Sequence, residues 1–243
     1  MDIQYGLAYR DLYERHWWFR AREEFLLQYL RSNNLGCSGQ ALDVGCGDGL
    51  FLDRLKDLGC KPHGLEADSR RVSEETRKKH RIHIGILDST FQPEQTYDLI
   101  LMLDVLEHID NDVEVLQHVR RCLSTDGVLI ITVPAFSWLW TAHDDMNHHF
   151  RRYTRKTLKN TVDAAGLKTE VSRYFYNWLV PLKLMVRFKE KLIGTTSTSP
   201  KVPGKFVNGL LTGVSRLEQR LTRNVPLPVG SSLFAVCKKT KTA

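Results

Sequence analysis

Residues 41–49 read Ala-Leu-Asp-Val-Gly-Cys-Gly-Asp-Gly, and the stretch that follows places Phe51, Leu52, Leu55 and Leu58 on one helical face before Gly59 ends it. A short apolar run stopped by glycines and continued by a helical stripe is a strand–loop–helix unit. Few folds are built from such a unit. Its glycines let the backbone turn tightly and leave no Cβ between it and a ligand. Its helix points unpaired N–H groups and a positive dipole end at the loop, which suits an anion. The unit predicts a sheet with crossover helices and a ligand site beyond the C-terminal strand ends.

The rest of the chain repeats the alternation. His63-Gly-Leu-Glu66 reads as a second strand closed by an acid, and Asp68 or Ser69 is placed to cap a polar helix running to about His80. Ile82–Leu87 and Tyr97–Leu103 follow as strands, the latter a continuous apolar run of the kind buried on both faces. A helix from Asp112 to Leu123, burying Val113, Leu116, Val119 and Leu123, turns through Asp126-Gly127 into a fifth strand, Val128–Val133, stopped by Pro134. Thr154 caps a helix ending at Gly166, and Lys168–Tyr176 and Ser232–Lys238 complete the set. The expected fold class is α/β, a doubly wound, mostly parallel seven-stranded sheet. Four regions follow: an N-terminal helical cap over 1–36, a core over 37–176, a helical, basic insertion over 177–228, and the last strand and tail over 229–243. Within the cap, 5–31 reads as one aromatic and arginine-rich helix.

Composition narrows the partners. No apolar run reaches the roughly 18 residues that cross a bilayer. The start, Met-Asp-Ile-Gln-Tyr, carries no basic-then-apolar leader. The five cysteines, at 37, 46, 60, 122 and 237, are scattered and odd in number, which argues against a zinc cluster or a disulfide framework. A reducing cytoplasm is the expected setting. Residues 1–149 carry 16 Lys and Arg against 24 Asp and Glu, whereas residues 150–243 carry 19 against 4. A basic half of this size reads either as a surface for nucleic acid, anionic lipid or an acidic substrate, or as plain solvation.

Glu66 ends the second strand 21 residues after Gly45, where a carboxylate can accept hydrogen bonds from both hydroxyls of a ribose. Nicotinamide cofactors use the same logic, but three details favour S-adenosylmethionine (SAM). The glycines run G-x-G-x-G, not G-x-G-x-x-G. Asp43 precedes the first glycine by two residues, where it can hold the loop or the SAM ammonium. The fourth strand ends in Leu103-Asp-Val-Leu-Glu-His108. Here a resemblance takes over. Residues 41–49 resemble motif I of the class I SAM-dependent methyltransferases. Residues 97–109 and 123–134 resemble the fourth- and fifth-strand motifs of their small-molecule branch, which includes the quinone-biosynthesis methylases. The resemblance covers about residues 38–170.

It implies that Asp43, Gly45 and Gly47 line the methionine portion, with Cys46 between the glycines of the same loop. It places Glu66 on the ribose, Ala67 beside the adenine, and Leu103 and Asp104 at the methionine end. The chain departs from the pattern after the third strand. Relatives carry a Gly-Asp pair there, whereas this chain reads Gly85-Ile-Leu-Asp88, so backbone contacts of Leu87 are expected in its stead.

Methyl transfer is an in-line displacement for which the cofactor supplies the electrophile, leaving the protein to align the acceptor and exclude water. A hydroxyl or carbon acceptor also needs a base. His143 or His149, tuned by Asp144 or Asp145, and His108 are the candidates. Trp18, Arg22, Trp138, Arg151, Arg152 and Tyr153 are the expected substrate contacts, the arginines for a carboxylate or phosphate. The competing reading makes His149 and Arg152 ties between the loop and the next helix. No metal is expected, since His143, Asp144 and His149 lack a short helical ligand spacing. Glu107 is expected to cap or pair near a helix start. Trp17, Trp18 and Phe19 form either a lid over the cofactor or ordinary packing. Residues 174–193, with Lys183, Arg187 and Lys189, suit a membrane surface, a pocket cover or a homodimer contact.

The function expected is SAM-dependent methyl transfer to a small-molecule acceptor, anionic or lipid-linked. A nucleic-acid methyltransferase rests on the basic half alone and lacks the Asn/Asp-Pro-Pro-aromatic motif of base methylases. A noncatalytic SAM-binding subunit is the third reading.

Overall fold

Seven strands make one sheet: β1 (Gln40–Val44), β2 (Lys61–Glu66), β3 (Arg81–Ile84), β4 (Tyr97–Leu103), β5 (Leu123–Pro134), β6 (Leu167–Phe175) and β7 (Ser232–Lys239). Their order is β3-β2-β1-β4-β5-β7-β6. The pairings among β1 to β5 are parallel, while β7 runs antiparallel to both β5 and β6. The computed structural model describes residues 10–35, 38–193, 201–222, 225 and 227–240. Its helices are α1 (Trp17–Ser32), α2 (Leu50–Asp57), α3 (Glu74–Lys79), α4 (Asp112–Cys122), α5 (Ala142–Met146), α6 (Arg155–Ala164), α7 (Leu179–Ile193) and α8 (Lys205–Leu221).

Burial of the sheet on both faces explains its apolar strands. Alternate side chains point to opposite faces. Leu42, Ile100, Met102, Leu129 and Ile131 therefore join Leu116 and Val119 of α4 and Leu158 and Val162 of α6 in one core. Ala41, Leu99, Leu101, Val128 and Ile130 join Phe25 and Leu26 of α1 and Phe51 and Leu55 of α2 in the other. Phe25 fixes α1 to the sheet, stacked on Phe175 at 5.3 Å and edge-on to Phe234 at 5.1 Å between ring centroids.

Local expectations fail where a cap intervenes. The helix expected over 5–31 is broken, within the described residues, at His16, whose extended backbone (ψ 130°) ends the helical segment over 10–15 and whose ring accepts from Trp18 N–H at 3.2 Å to start α1. The polar segment before His80 splits as well. Asp68 caps only the tight turn Ser69–Arg71, and Ser73 starts α3 by accepting from Thr76 N–H at 3.2 Å. β3 stops at Ile84, so Leu87 lies beyond it, and α4 buries Val115 where Val113 was expected.

The C-terminal ends of β1, β2, β4 and β5 share one edge because these strands are parallel. The chain leaves β1 toward β2 on one side and returns to β4 on the other, so the crevice of the doubly wound sheet opens between β1 and β4. Three non-glycine residues with φ near +57° lie just past strands on that edge: Asp104 after β4, Phe136 after β5 and Tyr176 after β6. Such backbone costs roughly 1–3 kcal/mol per residue and persists only where surroundings enforce it.

Candidate functional site

The loop after β1 turns through Gly45 and Gly47, at φ +71° and +54°. At Gly45 the space is as restrictive as the angle, since a Cβ there would lie 2.7 Å from Val105 Cγ2. Gly45 and Cys46 donate their N–H groups to Leu65 O at 2.7 and 3.2 Å, binding the loop to β2. Cys46 is buried, its sulfur against the Cα of Gly64, and burial first, then the carboxylates of Asp43 and Glu66, push its thiol far above the usual range. It is a wall of the loop, not a nucleophile.

Glu66 is buried at the end of β2. One carboxylate oxygen accepts from Gly47 N–H at 2.9 Å and the other from Asp68 N–H at 3.0 Å, with Arg71 at 3.8 Å. The acid, the loop and the crevice thus meet at one point. Ala67 is exposed beside it and Leu87 is buried. Asp88 closes a local turn, accepting from Thr90 N–H at 2.8 Å and its hydroxyl at 2.6 Å.

Across the crevice, α1 contributes a buried cation. Arg22 pairs with Asp104, and its guanidinium carbon lies 4.7 Å from the centroid of Trp18 and 5.5 Å from that of Phe19. Asp104 N–H donates to Thr132 O at 2.9 Å, which with the ion pair holds its left-handed backbone. Trp18 is half-buried, stacked on Tyr176, whose hydroxyl donates to Trp18 O at 2.6 Å. Asp43 lies at the crevice floor, and burial lifts its carboxyl to about 7 against the opposing charge of Arg22. Leu103 is half-buried at the tip of β4.

The loop after β5 forms a second cluster around Asp144, which is fully buried. Its carboxylate accepts from Arg152 Nε and Nη2, each at 2.8 Å, from His149 Nδ1 at 2.8 Å and from Thr141 N–H at 2.9 Å. Burial alone would raise this acid, but the bonds from His149 and Arg152 hold it well below the usual carboxylate range. Arg152 also donates to Ala135 O at 3.0 Å. A carboxylate only accepts, so His149 donates from Nδ1, and in the neutral ring Nε2 is the acceptor.

His149 meets His108 edge-on, 4.6 Å between centroids. Burial and the neighbouring His149 lower His108 to about 4, so it is neutral near pH 7. Glu107 completes a trio: ligand-capable atoms of Glu107, His108 and His149 lie within 4.8 Å of one another, close enough to converge on a cation. The sequence points to a different set, His143 with Asp144 and His149. Glu107, expected to cap or pair near a helix start, lies in the short turn Leu106–His108, where its own backbone N–H favours its carboxylate. It is buried, its Oε2 has no hydrogen-bond partner, and burial raises its carboxyl to about 8. Nothing in the local sequence marks it, because its isolation depends on what closes over it.

Other expected contacts face inward. Arg151 donates to Asp110 O at 2.6 Å and lies 3.2 Å from Asp112, at the start of α4. Tyr153 is buried and donates to the same Asp112 at 2.8 Å. Arg152 and Tyr153, expected as substrate contacts, are instead buried ties of the loop to Asp144 and α4, and Arg151 is part-exposed and paired with Asp110 and Asp112. His143 is exposed, its ring 3.2 Å from the Asn147 amide, and Asp145 accepts from Trp140 Nε1 at 2.8 Å, so Asp144 alone orients His149. Trp138 is part-exposed and rests on Phe136 at 5.0 Å. Lys183, not expected here, is half-buried near Asp144 and Arg152, and burial lowers its ammonium to about 8.

The family model described as a methyltransferase domain matches residues 12–171. A Mycolicibacterium smegmatis protein named as a probable S-adenosylmethionine-dependent methyltransferase is 26% identical over 164 residues, covering 65% of this chain and 62% of its own. A ubiquinone biosynthesis O-methyltransferase of Glaesserella parasuis is 26% identical over 118 residues, covering 44% of this chain and 50% of its own. The chain therefore spans less than two thirds of either relative. The crystal structure of an S-adenosylmethionine-dependent methyltransferase from Clostridium acetobutylicum superposes with a TM-score of 0.59 at 14% identity, covering 92% of each chain. The glycine loop after β1, the acid at the end of β2 and the domain match converge: this chain belongs to the class I methyltransferases, whose cofactor is S-adenosylmethionine.

Proposed function

We propose that the chain transfers the methyl group of SAM to a hydroxyl of a small, anionic or lipid-linked acceptor, with His149 as the base. The observation that carries this reading is the Asp144–His149 bond of 2.8 Å, which orients the ring and leaves Nε2 to accept a proton. SAM supplies a methyl already activated on a sulfonium, so the protein's task is alignment, proton removal and exclusion of water. Glu66 and the glycine loop, which offers no Cβ at Gly45 and Gly47, hold the ribose and the methionine end. Arg22 supplies positive charge beside Asp43 and Asp104, and Trp18 and Phe19 shield it from water. A hydroxyl acceptor accords with the O-methyltransferase relatives, and an anionic one with the basic half of the chain.

The test is a SAM-turnover screen over phenols, quinols, sugar nucleotides and lipid precursors, repeated with His149→Ala and His149→Gln. Both variants should keep the SAM-induced thermal shift and lose at least about a hundredfold in kcat on the preferred acceptor, the scale of general-base catalysis. Unchanged kcat would remove His149 from the reaction. Loss of activity in EDTA, restored by a divalent cation, would reassign the Glu107–His108–His149 trio from proton transfer to metal binding.

A further inference from the structure

Of the two helices between β6 and β7, α8 turns polar residues to the body along its length, and α7 does so beyond its first turn, where Leu179 and Val180 are buried. In a surface helix the apolar stripe ordinarily faces the body and the polar residues face water. In α7 the residues at i, i+4 and i+7 that face the body are Lys183, Arg187 and Glu190. Arg187 donates to Ser137 O at 3.3 Å and to Trp138 O, and Glu190 accepts from Ala142 N–H at 3.3 Å. The opposite face carries Met185, Phe188 and Leu192, exposed by 67, 65 and 67%.

α8 repeats the inversion. Asn208, Thr212, Ser215 and Gln219 form one stripe toward α1. Asn208 accepts from Trp17 N–H and donates to Arg15 O, both at 2.8 Å, and Gln219 donates to Ala21 O at 3.1 Å. Thr212, Ser215 and Gln219 are buried. Phe206, Leu210, Leu217 and Leu221 make the opposite stripe and are all more than half exposed. α8 buries polar residues and exposes apolar ones, and α7, past its buried Leu179 and Val180, exposes an apolar stripe; two such faces are built for something that covers them.

Charge identifies the cover. On α7, Lys189 and Lys191 flank the apolar stripe on its two sides and are exposed, and Lys201, Lys205 and Arg220 are exposed along the same insertion. The apolar faces are thus rimmed by cations within a C-terminal half carrying 19 Lys and Arg against 4 Asp and Glu. A second copy would bring two such rims together and repel. An anionic bilayer takes both features at once: the apolar stripe enters the acyl boundary while lysines snorkel to the headgroups. Among the described residues no helix is long and apolar enough to cross a membrane, so a helix lying in the interface is the geometry that fits. We infer that α7 and α8 dock the protein on an anionic lipid surface. The inference is independent of which acceptor is methylated.

Two corrections to the sequence reading follow. Lys183 and Arg187 face the body, so the lipid-facing cations of α7 are Lys189 and Lys191. The surface also extends beyond 174–193 to α8.

The experiment is co-sedimentation of the full chain with phosphatidylcholine vesicles, with and without phosphatidylglycerol, alongside its sedimentation velocity without lipid. The variants are Met185→Glu/Phe188→Glu on α7, Phe206→Glu/Leu217→Glu on α8, and Lys189→Glu/Lys191→Glu. Retention of the SAM-induced thermal shift controls for folding. The wild type should bind only the anionic vesicles, less well at high salt. Each variant should lose at least about tenfold in partitioning, the equivalent of about 1.4 kcal/mol. Wild-type chain that ignores anionic vesicles, or variants that bind them as well as wild type, overturns the inference. A lipid-free dimer that the apolar variants dissociate also overturns it, assigning the faces to a second copy.

Discussion

Replacing Asp144 with Asn tests how the site is held together. The carboxylate is fully buried and takes four bonds of 2.8–2.9 Å, two from Arg152, one from His149 and one from Thr141 N–H. An amide offers one acceptor oxygen and presents an NH2 group to donors. It cannot satisfy Arg152 and His149 together, and it leaves the guanidinium buried without a counter-charge. Removing one partner of a buried pair costs roughly 3–5 kcal/mol. At about 2–4 °C per kcal/mol for a chain of this size, Tm should fall by roughly 6–20 °C. The assay is thermal unfolding by circular dichroism near neutral pH, with Asp144→Asn/Arg152→Met alongside. Removing both charges eliminates the stranded cation, so the double variant should regain much of the loss. The same logic fixes an acid limb. The folded-state carboxyl is depressed, so its contribution is present above the unfolded value near pH 4 and is lost as pH falls below it. The variant should lack that limb. A single variant within about 1 kcal/mol of wild type, or a double variant as unstable as the two singles combined, would refute the reasoning.

Other outcomes follow from the crevice. Gly45→Ala places a Cβ 2.7 Å from Val105 at φ +71°, so SAM affinity should fall by at least about tenfold in calorimetry while the circular dichroism spectrum is kept; unchanged affinity would sink the assignment. Burial lifts Asp43 to about 7 and Glu107 to about 8. Their folded-state values are raised, so the folded chain holds protons that the unfolded chain releases. Ligand-free stability should therefore decline from about pH 4 to about pH 8, by at most about 5 kcal/mol per group. Glu107→Gln should flatten the upper part of that decline in Tm against pH, and an equally steep curve would contradict it. Arg22→Met should weaken SAM binding by about tenfold and abolish the charge tie between α1 and β4, read as faster amide exchange in residues 17–25. Exchange unchanged there would show that aromatic packing and the bonds from α8 and Tyr176 hold the helix without the ion pair.

What the sequence by itself determined is local. Gly45, Gly47 and Gly49 declare a backbone that needs φ above zero, Glu66 closes a strand, and the apolar run over 97–103 must be covered on both faces; each requirement is written within a few neighbouring residues. From these the doubly wound sheet and its crevice were legible. Even local reading faltered where a competing cap intervened, at His16 and Ser73. What only the tertiary structure decided is partnership across distance. Arg22 reaches Asp104 over 82 positions, and Tyr153 and Arg151 turn to Asp112 some 40 positions back. Glu107 has an unpartnered oxygen because of what folds over it, and α7 and α8 present their polar stripes inward because Ser137, Ala142 and α1 wait there. The helical period marks a face as apolar or polar, but which face meets the body depends on donors and acceptors far away in the chain.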